Sequence, residues 1–196
     1  MAPPEKTRRI TDLDTLKALG HPLRIRLYRA LRVAGTATAS QLADQVDEAV
    51  SLVSYHLRKL ATHGIIEEAE GHSEDGRERW WRPAVTRITT RDEDFDDAPE
   101  RAAVHAAITR AHARQRAEMF ESWLDEKSAW GEEWRGAAFT SESLMPLTSA
   151  ELREMDDELR AVIMRWRQRG EAAREAGDVE GRENVAVHTY GFPFRT

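Results

Sequence analysis

The chain has 196 residues, of which 40% are hydrophobic and 33% are charged, and its formal net charge is −6. This composition is typical of a globular chain that builds its own core, and the absence of cysteine excludes disulfides and thiolate metal sites. There is no signal-peptide pattern and no long apolar run, so we expect a cytoplasmic protein with no membrane partner.

The charge is distributed unevenly along the chain. Residues 1–90 carry a net charge of +2, whereas residues 91–196 carry −8. Because affinity for nucleic acid depends on cations that meet phosphates, the first half is better suited to such binding. The asymmetry predicts that the second half performs a different task.

Two leucine-rich helices are predicted within residues 11–35. The first begins at an S/T-x-x-D/E signature over residues 11–14 and ends at Gly20. The second begins at Pro22 and ends at Gly35, and its leucines recur every four residues, as they do on the core face of a helix.

A short third helix and a longer fourth helix follow. Thr38 and Gln41 predict a capping box at the start of "SQLADQV", and four residues then lead to "SLVSYHLRKLATHGII" at 51–66. In the fourth helix Val53, Leu57 and Leu60 share one face and polar side chains occupy the opposite face, before Gly64 ends it. A short helix, a tight turn and a helix with a polar outer face are typical of a helix-turn-helix.

Two strand-like runs, "IIEEAE" and "RERWWRPAV", come directly after the fourth helix, separated by a polar loop. This pattern predicts a β-hairpin with Trp80 or Trp81 packed on the domain. A helix-turn-helix that is followed by a hairpin is a winged helix.

The segments "LGHPLRIRLYRALRVAG", "ATASQLADQV", "VSYHLRKLATHGII" and "RERWWR" resemble winged-helix repressors of the bacterial ArsR/SmtB type. The resemblance covers roughly residues 11–85. It implies a homodimeric transcription regulator that releases or grips double-stranded DNA in response to a signal. The expected fold is mainly α with a small β-hairpin wing, in which a winged helix-turn-helix domain is joined to long C-terminal dimerisation helices.

Candidate DNA contacts lie on the outer face of the fourth helix and on the wing. Arg58 has the geometry to bind guanine in the major groove, and Lys59 is better placed for phosphate. His56 lies at the edge of the apolar face and suits either a contact or a structural role. The arginines of the wing suit the narrow minor groove, although acidic residues at its tip argue against deep insertion. The full candidate set is Ser51, Ser54, Tyr55, His56, Arg58, Lys59, Arg77 and Arg79.

We expect three regions: a DNA-binding domain at 1–90, an acidic linker at 91–99, and a helical dimerisation or effector domain at 100–196. A long helix is predicted at about 100–130, and a second begins at a capping box from Thr148 to Glu151. The closing residues alternate like a short strand and end in an apolar hook that would dock on the body. The second helix carries an apolar seam that predicts a homodimer interface. Its residues are Leu152, Met155, Leu159, Ile163 and Trp166.

Other functions are less well supported by the sequence. His105 and His112 lie one above the other on a helix, with Glu118 beyond, but this spacing differs from that of the family's metal sites, so we expect no metal and no cofactor. We expect any effector to be organic or another protein.

The C-terminal aromatic residues suit either a ligand pocket or a dimer core. No catalytic motif is present, and the alternative function is a small-molecule-binding or protein-interaction module whose winged helix docks protein.

Overall fold

The computed structural model describes residues 6–69, 78–85 and 87–195. These residues divide into two compact units, with the division between Phe120 and Glu121. The described residues are mainly helical with a small sheet, as predicted. The α-helices are α1 (Leu13–Leu19), α2 (Pro22–Ala34), α3 (Ala39–Val46), α4 (Val50–Thr62), α5 (Pro99–Glu126), α6 (Glu132–Ala137) and α7 (Ser149–Glu175).

The strands are short and form two small sheets. They are β1 (Thr7–Arg9), β2 (Ala37–Thr38), β3 (Ile66–Glu68), β4 (Trp80–Pro83) and β5 (Arg87–Thr89). The antiparallel pair β3–β4 is the predicted hairpin, with Glu67 opposite Arg82, and β2 pairs with the other edge of β4. Trp81 is buried, so the hairpin packs on the domain as expected. The parallel pair β1–β5 was not predicted, because strands of three residues give no periodic signal.

The ends of the helices follow local capping chemistry. Thr38 and Gln41 form the predicted capping box of α3, and Gly64 takes the left-handed conformation after α4, with φ of 61°. The start of α1 differs from the prediction by one position. Its cap is Asp12, whose carboxylate accepts the backbone N–H of Thr15 at 2.7 Å, rather than Thr11.

Residues 91–99 contain part of the core of the first unit. A short 3-10 helix at Asp92–Asp94 leads to Phe95, which is completely buried and stacks on His105 with ring centroids 4.7 Å apart. The guanidinium of Arg101 lies 5.6 Å from the Phe95 ring centroid. Ile108 on α5 is also buried in this core. The described structure therefore places an anchor where the sequence suggested a linker, and α5 packs on the winged-helix core before it reaches the second unit.

The second unit consists of the end of α5, α6, α7 and extended segments. The predicted capping box from Thr148 to Glu151 begins α7. Among the described residues from 121 onward, no side chain is buried. The prediction of a strand near the C-terminus is wrong, because the described residues after Arg182 form no helix or strand. The closing segment approaches α7 only at its backbone: a Cβ atom at Gly191 would lie 3.0 Å from Cδ1 of Leu152, whereas Phe192 is 70% exposed and Phe194 is 55% exposed.

Replacing Phe95 with alanine should test the anchoring role of this segment. Loss of a fully buried aromatic ring leaves a cavity, so we expect the free energy of unfolding to fall by about 3–5 kcal/mol. Urea unfolding followed by circular dichroism measures it. The control is Asp96→Ala on the exposed neighbour, which should change stability by less than about 0.5 kcal/mol. Similar stability of the two variants would contradict the anchoring role.

Candidate nucleic-acid interface

Helix α4 presents one face to the core and the other to solvent. Val53, Leu57 and Leu60 have no exposed surface, and their packing fixes the rotation of the helix about its axis. On the opposite side, three charged or aromatic side chains and two serines are exposed or half-buried. They are Ser51, Ser54, Tyr55, Arg58 and Lys59.

Two of these outward side chains contact each other. The ammonium of Lys59 lies 5.9 Å from the centroid of the Tyr55 ring, which is within the range of a cation–π contact. The guanidinium of Arg58, by contrast, makes no hydrogen bond or ion pair with the parts of the chain that the structure describes. Arg58 is therefore available to an external acceptor.

His56 takes the structural role rather than an exposed one. It is 5% exposed, and the centroid of its ring lies 4.4 Å from the centroid of the His21 ring and 5.2 Å from that of the Tyr55 ring. Its Nδ1 atom is buried without a hydrogen-bond partner among the described residues. Burial lowers the pKa of His56, the nearby charges of His21 and Arg24 lower it further, and Glu48 opposes them. A neutral ring behind the outer face supports Tyr55 rather than reaching DNA.

Two arginines of α2 donate hydrogen bonds to backbone carbonyl oxygens at the ends of α1 and α3. Arg24 donates hydrogen bonds to the carbonyl oxygens of Ala18 and Lys17 at the end of α1. Arg26 donates to the carbonyl of Val46 at the end of α3, at 2.5 Å. Cations at helix C-termini satisfy carbonyls that have no partner within the helix and also interact favourably with the helix dipole. These cations therefore position the helices.

The wing places arginines and carboxylates side by side. Arg79 lies 4.0 Å from Glu68, and Arg82 donates to Glu67 at 2.9 Å. Both pairs are exposed, so each interaction is weak and can be exchanged for another acceptor. Arg77, the other predicted wing contact, lies outside the described residues. The hydroxyl of Tyr28 on α2 donates to the carbonyl of Val85 at 3.1 Å, which joins the segment after the wing to the helices.

An open groove of about 730 Å³ lies between the end of α4, strand β1 and the wing. Four cationic side chains line it, and sequence reasoning missed two of them, Lys6 and Arg8. Their placement on one side of the N-terminal segment could have been noticed only if β1, which includes Arg8 and begins directly after Lys6, had been predicted. The turn between α3 and α4 has the opposite charge, since Asp44, Asp47 and Glu48 line a second groove there.

The two histidines considered as metal ligands serve other contacts. His105 is buried against Phe95, with its Nδ1 3.2 Å from Asp92, and the Nε2 atom of His112 lies 3.0 Å from the carbonyl oxygen of Leu19. Among the described residues, no group of three or more histidine, aspartate or glutamate side chains is arranged to hold a metal ion. The response to metals stays a prediction.

Residues 19–69 match the model of a helix-turn-helix domain family. The match spans α2, α3 and α4 and ends at the first strand of the hairpin. The chain therefore contains a helix-turn-helix domain, which supports a DNA-binding transcriptional regulator. No described helix is long and apolar enough to cross a bilayer.

This regulator is also similar to solved structures. One is a possible transcriptional regulator for arsenical resistance, with 25% identity, 66% of this chain and 100% of that chain covered, and a TM-score of 0.32. Another is an ArsR family transcriptional regulator, with 24% identity, 56% and 89% covered, and a TM-score of 0.30. A MarR mutant from E. coli complexed with operator DNA has 13% identity, 78% and 84% covered, and a TM-score of 0.32. No curated protein is significantly similar to the regulator.

The lowered pKa of His56 predicts acid sensitivity. A histidine whose pKa is lower in the folded state than in the unfolded state stabilises the fold above its unfolded pKa of about 6.5. That contribution is lost as pH falls below this value, because protonation then favours unfolding. The pKa of His112 is also lowered, chiefly by burial, and acts in the same direction.

We therefore expect the urea midpoint of the full chain to fall as pH decreases from 7 to 5. The variant His56→Gln, which keeps a polar group of similar length, should show a smaller decrease over the same range. Parallel urea curves at several pH values measure both effects. An unchanged pH dependence in His56→Gln would show that this ring does not titrate as the structure indicates.

Proposed function

We propose that this regulator is a repressor that binds an inverted-repeat operator as a homodimer, with α4 of each copy in the major groove. The observation that carries this proposal is the outer face of α4, where Arg58 and its polar neighbours point away from a fully buried stripe. A recognition helix needs such a face, because base edges are read by side chains that project from a rigidly held helix. A helix with this packing and a cation with no described partner favours DNA over a protein surface.

The second unit supports the proposed homodimer. Along α7, Leu159 is 41% exposed, Ile163 is 37% exposed and Trp166 is 64% exposed. Three indole rings form a cluster nearby in the chain: Trp130 lies 6.0 Å from Trp123 and 6.4 Å from Trp134 between ring centroids. A unit in which no described side chain is fully buried gains little of the hydrophobic contribution that stabilises a fold. A second copy of the chain would bury these apolar side chains of α7.

Symmetry and charge both favour a second copy as the partner. A two-fold dimer places the same apolar patch on both sides of its interface, and it also repeats the recognition helix, as an inverted repeat requires. The two helices must then lie about one DNA turn, roughly 34 Å, apart. The net charge of −8 in residues 91–196 would keep the dimerisation helices away from the phosphates.

Replacing Arg58 with alanine should weaken binding to an operator recovered by selection from genomic fragments. We expect a loss of about 1–3 kcal/mol and a relaxed preference at one base position, because a bidentate guanine contact is removed. Replacing Lys59 with alanine is the matched control on the same helix and should weaken binding to all sequences alike. Competition assays against operators with single-base changes measure both. Wild-type affinity and preference in Arg58→Ala would refute the assignment.

Charged substitutions on α7 should separate the two copies. In the variant Leu159→Asp with Ile163→Asp, carboxylates would have to enter an apolar interface without partners, so we expect a monomer with weaker operator binding. The control is Ala161→Asp, which lies on the opposite side of the helix and should stay dimeric. Light scattering during gel filtration measures the mass. A monomeric wild type, or a dimeric double variant, would contradict this interface.

A further inference from the structure

The groove beside the end of α4 carries an excess of positive charge. Strand β1, the last turn of α4 and the wing each contribute cations, and β3 contributes carboxylates. The charged lining consists of Lys6, Arg8, Arg58, Arg79, Glu67 and Glu68. Each of the two carboxylates has an arginine neighbour on the wing, Arg82 for Glu67 and Arg79 for Glu68. With four cations and two carboxylates, the described lining carries a formal net charge of +2.

Strand pairing determines which cations of β1 reach the groove. Successive side chains of an extended segment point to opposite faces, so Lys6, the residue before β1, and Arg8 within β1 share one side, and both line the groove. Arg9 lies on the other side, where its guanidinium binds Asp94 at 2.8 and 2.6 Å and Glu93 at 2.8 Å. The parallel pairing of β1 with β5 holds this alternation in place.

Arg8 is fixed against the end of the recognition helix. Its Nη1 atom donates to the carbonyl oxygen of His63, the residue that ends α4. The next residue, Gly64, makes this approach possible: a Cβ atom there would lie 2.8 Å from Nη1, and φ is 61°. A guanidinium carries five N–H donors in a planar fork, so the bond to His63 leaves donors that can bind a second acceptor. The helix and the strand therefore present Arg8 and Arg58 on a common groove.

The opposite end of α4 cannot offer the same charge. Asp44 at the end of α3 and Asp47 in the turn before α4 would repel phosphate, and Glu48 beside them is partly offset by Arg26 at 4.0 Å. The carboxylates therefore disfavour phosphate at the start of α4, whereas the cations of the groove favour it at the end of the helix, where Arg8 offsets the partial negative charge of the exposed carbonyls.

We propose that this groove binds the phosphodiester backbone of DNA next to the bases read by α4, so that β1 is a DNA-contacting element in addition to the recognition helix and the wing. The inference rests on the proposed function. Lys6 and Arg8 contact phosphate oxygens, and they position the protein without reading sequence.

The test is the salt dependence of binding to two 30-base-pair duplexes of unrelated sequence, measured by fluorescence anisotropy with the full chain. The slope of log affinity against log salt is negative, and each lost phosphate contact reduces its magnitude by about 0.9. We expect this decrease for Lys6→Gln and about twice as much for Lys6→Gln with Arg8→Gln, with an equal loss on both duplexes. The control, Arg110→Gln, removes an exposed cation from α5 outside the groove and should keep the wild-type slope.

The possible results are distinguishable. Slopes of the Lys6 variants that equal the slope of Arg110→Gln would overturn the inference and leave the proposed function intact. A loss confined to one duplex would also overturn it, because it would indicate base reading. A wild-type chain without salt-dependent binding would overturn the proposed function itself. Circular dichroism checks that the double variant retains its helices, and Lys6→Gln tests the groove by itself if the double variant unfolds.

Discussion

The burial of one stripe of α4 is the constraint on which the rest of the interface depends. Val53, Leu57 and Leu60 are completely inside the core, and each contributes about 1.5–3 kcal/mol through burial. A rotation of the helix by one residue position would expose part of this stripe and turn Arg58 away from solvent. The hydrophobic contacts therefore determine the direction in which the polar face points, and the proposed DNA binding would use an orientation that folding has already established.

Arginine side chains from neighbouring elements also help to hold α4 in a fixed orientation. Arg24 and Arg26 bind carbonyl oxygens at the ends of α1 and α3, and Arg8 binds the carbonyl that ends α4. A helix end exposes carbonyls without partners, and a cation from another element satisfies them while it fixes the spacing between elements. The arginines of the first unit therefore divide into those that hold the helices and those, such as Arg58, that remain available on the surface.

The sequence predicted the parts of the fold that depend on local patterns. Leucine spacing and capping residues located α2, α3, α4 and the start of α7, because these signals act within a few residues. The sequence did not reveal that Phe95 is buried, because the acidic residues around it are typical of a linker. It also did not reveal the pairing of β1 with β5. Both depend on contacts between residues far apart in the chain. Most of α4's outer face was predicted for the same local reason, whereas Lys6 and Arg8 required the sheet.

The distribution of charge explains why a single winged helix would be a weak binder. The carboxylates of β3 neutralise part of the wing, and those of the α3–α4 turn oppose phosphate at the start of the recognition helix. Because phosphate contacts supply much of the affinity for DNA, each copy can offer only a limited number. Joining two copies multiplies these contacts without adding new ones to either domain, since the second binding event becomes intramolecular. A modestly charged winged helix and the apolar seam of α7 are therefore complementary features under the proposed function: the first limits binding by one copy, and the second is the surface through which two copies would be joined.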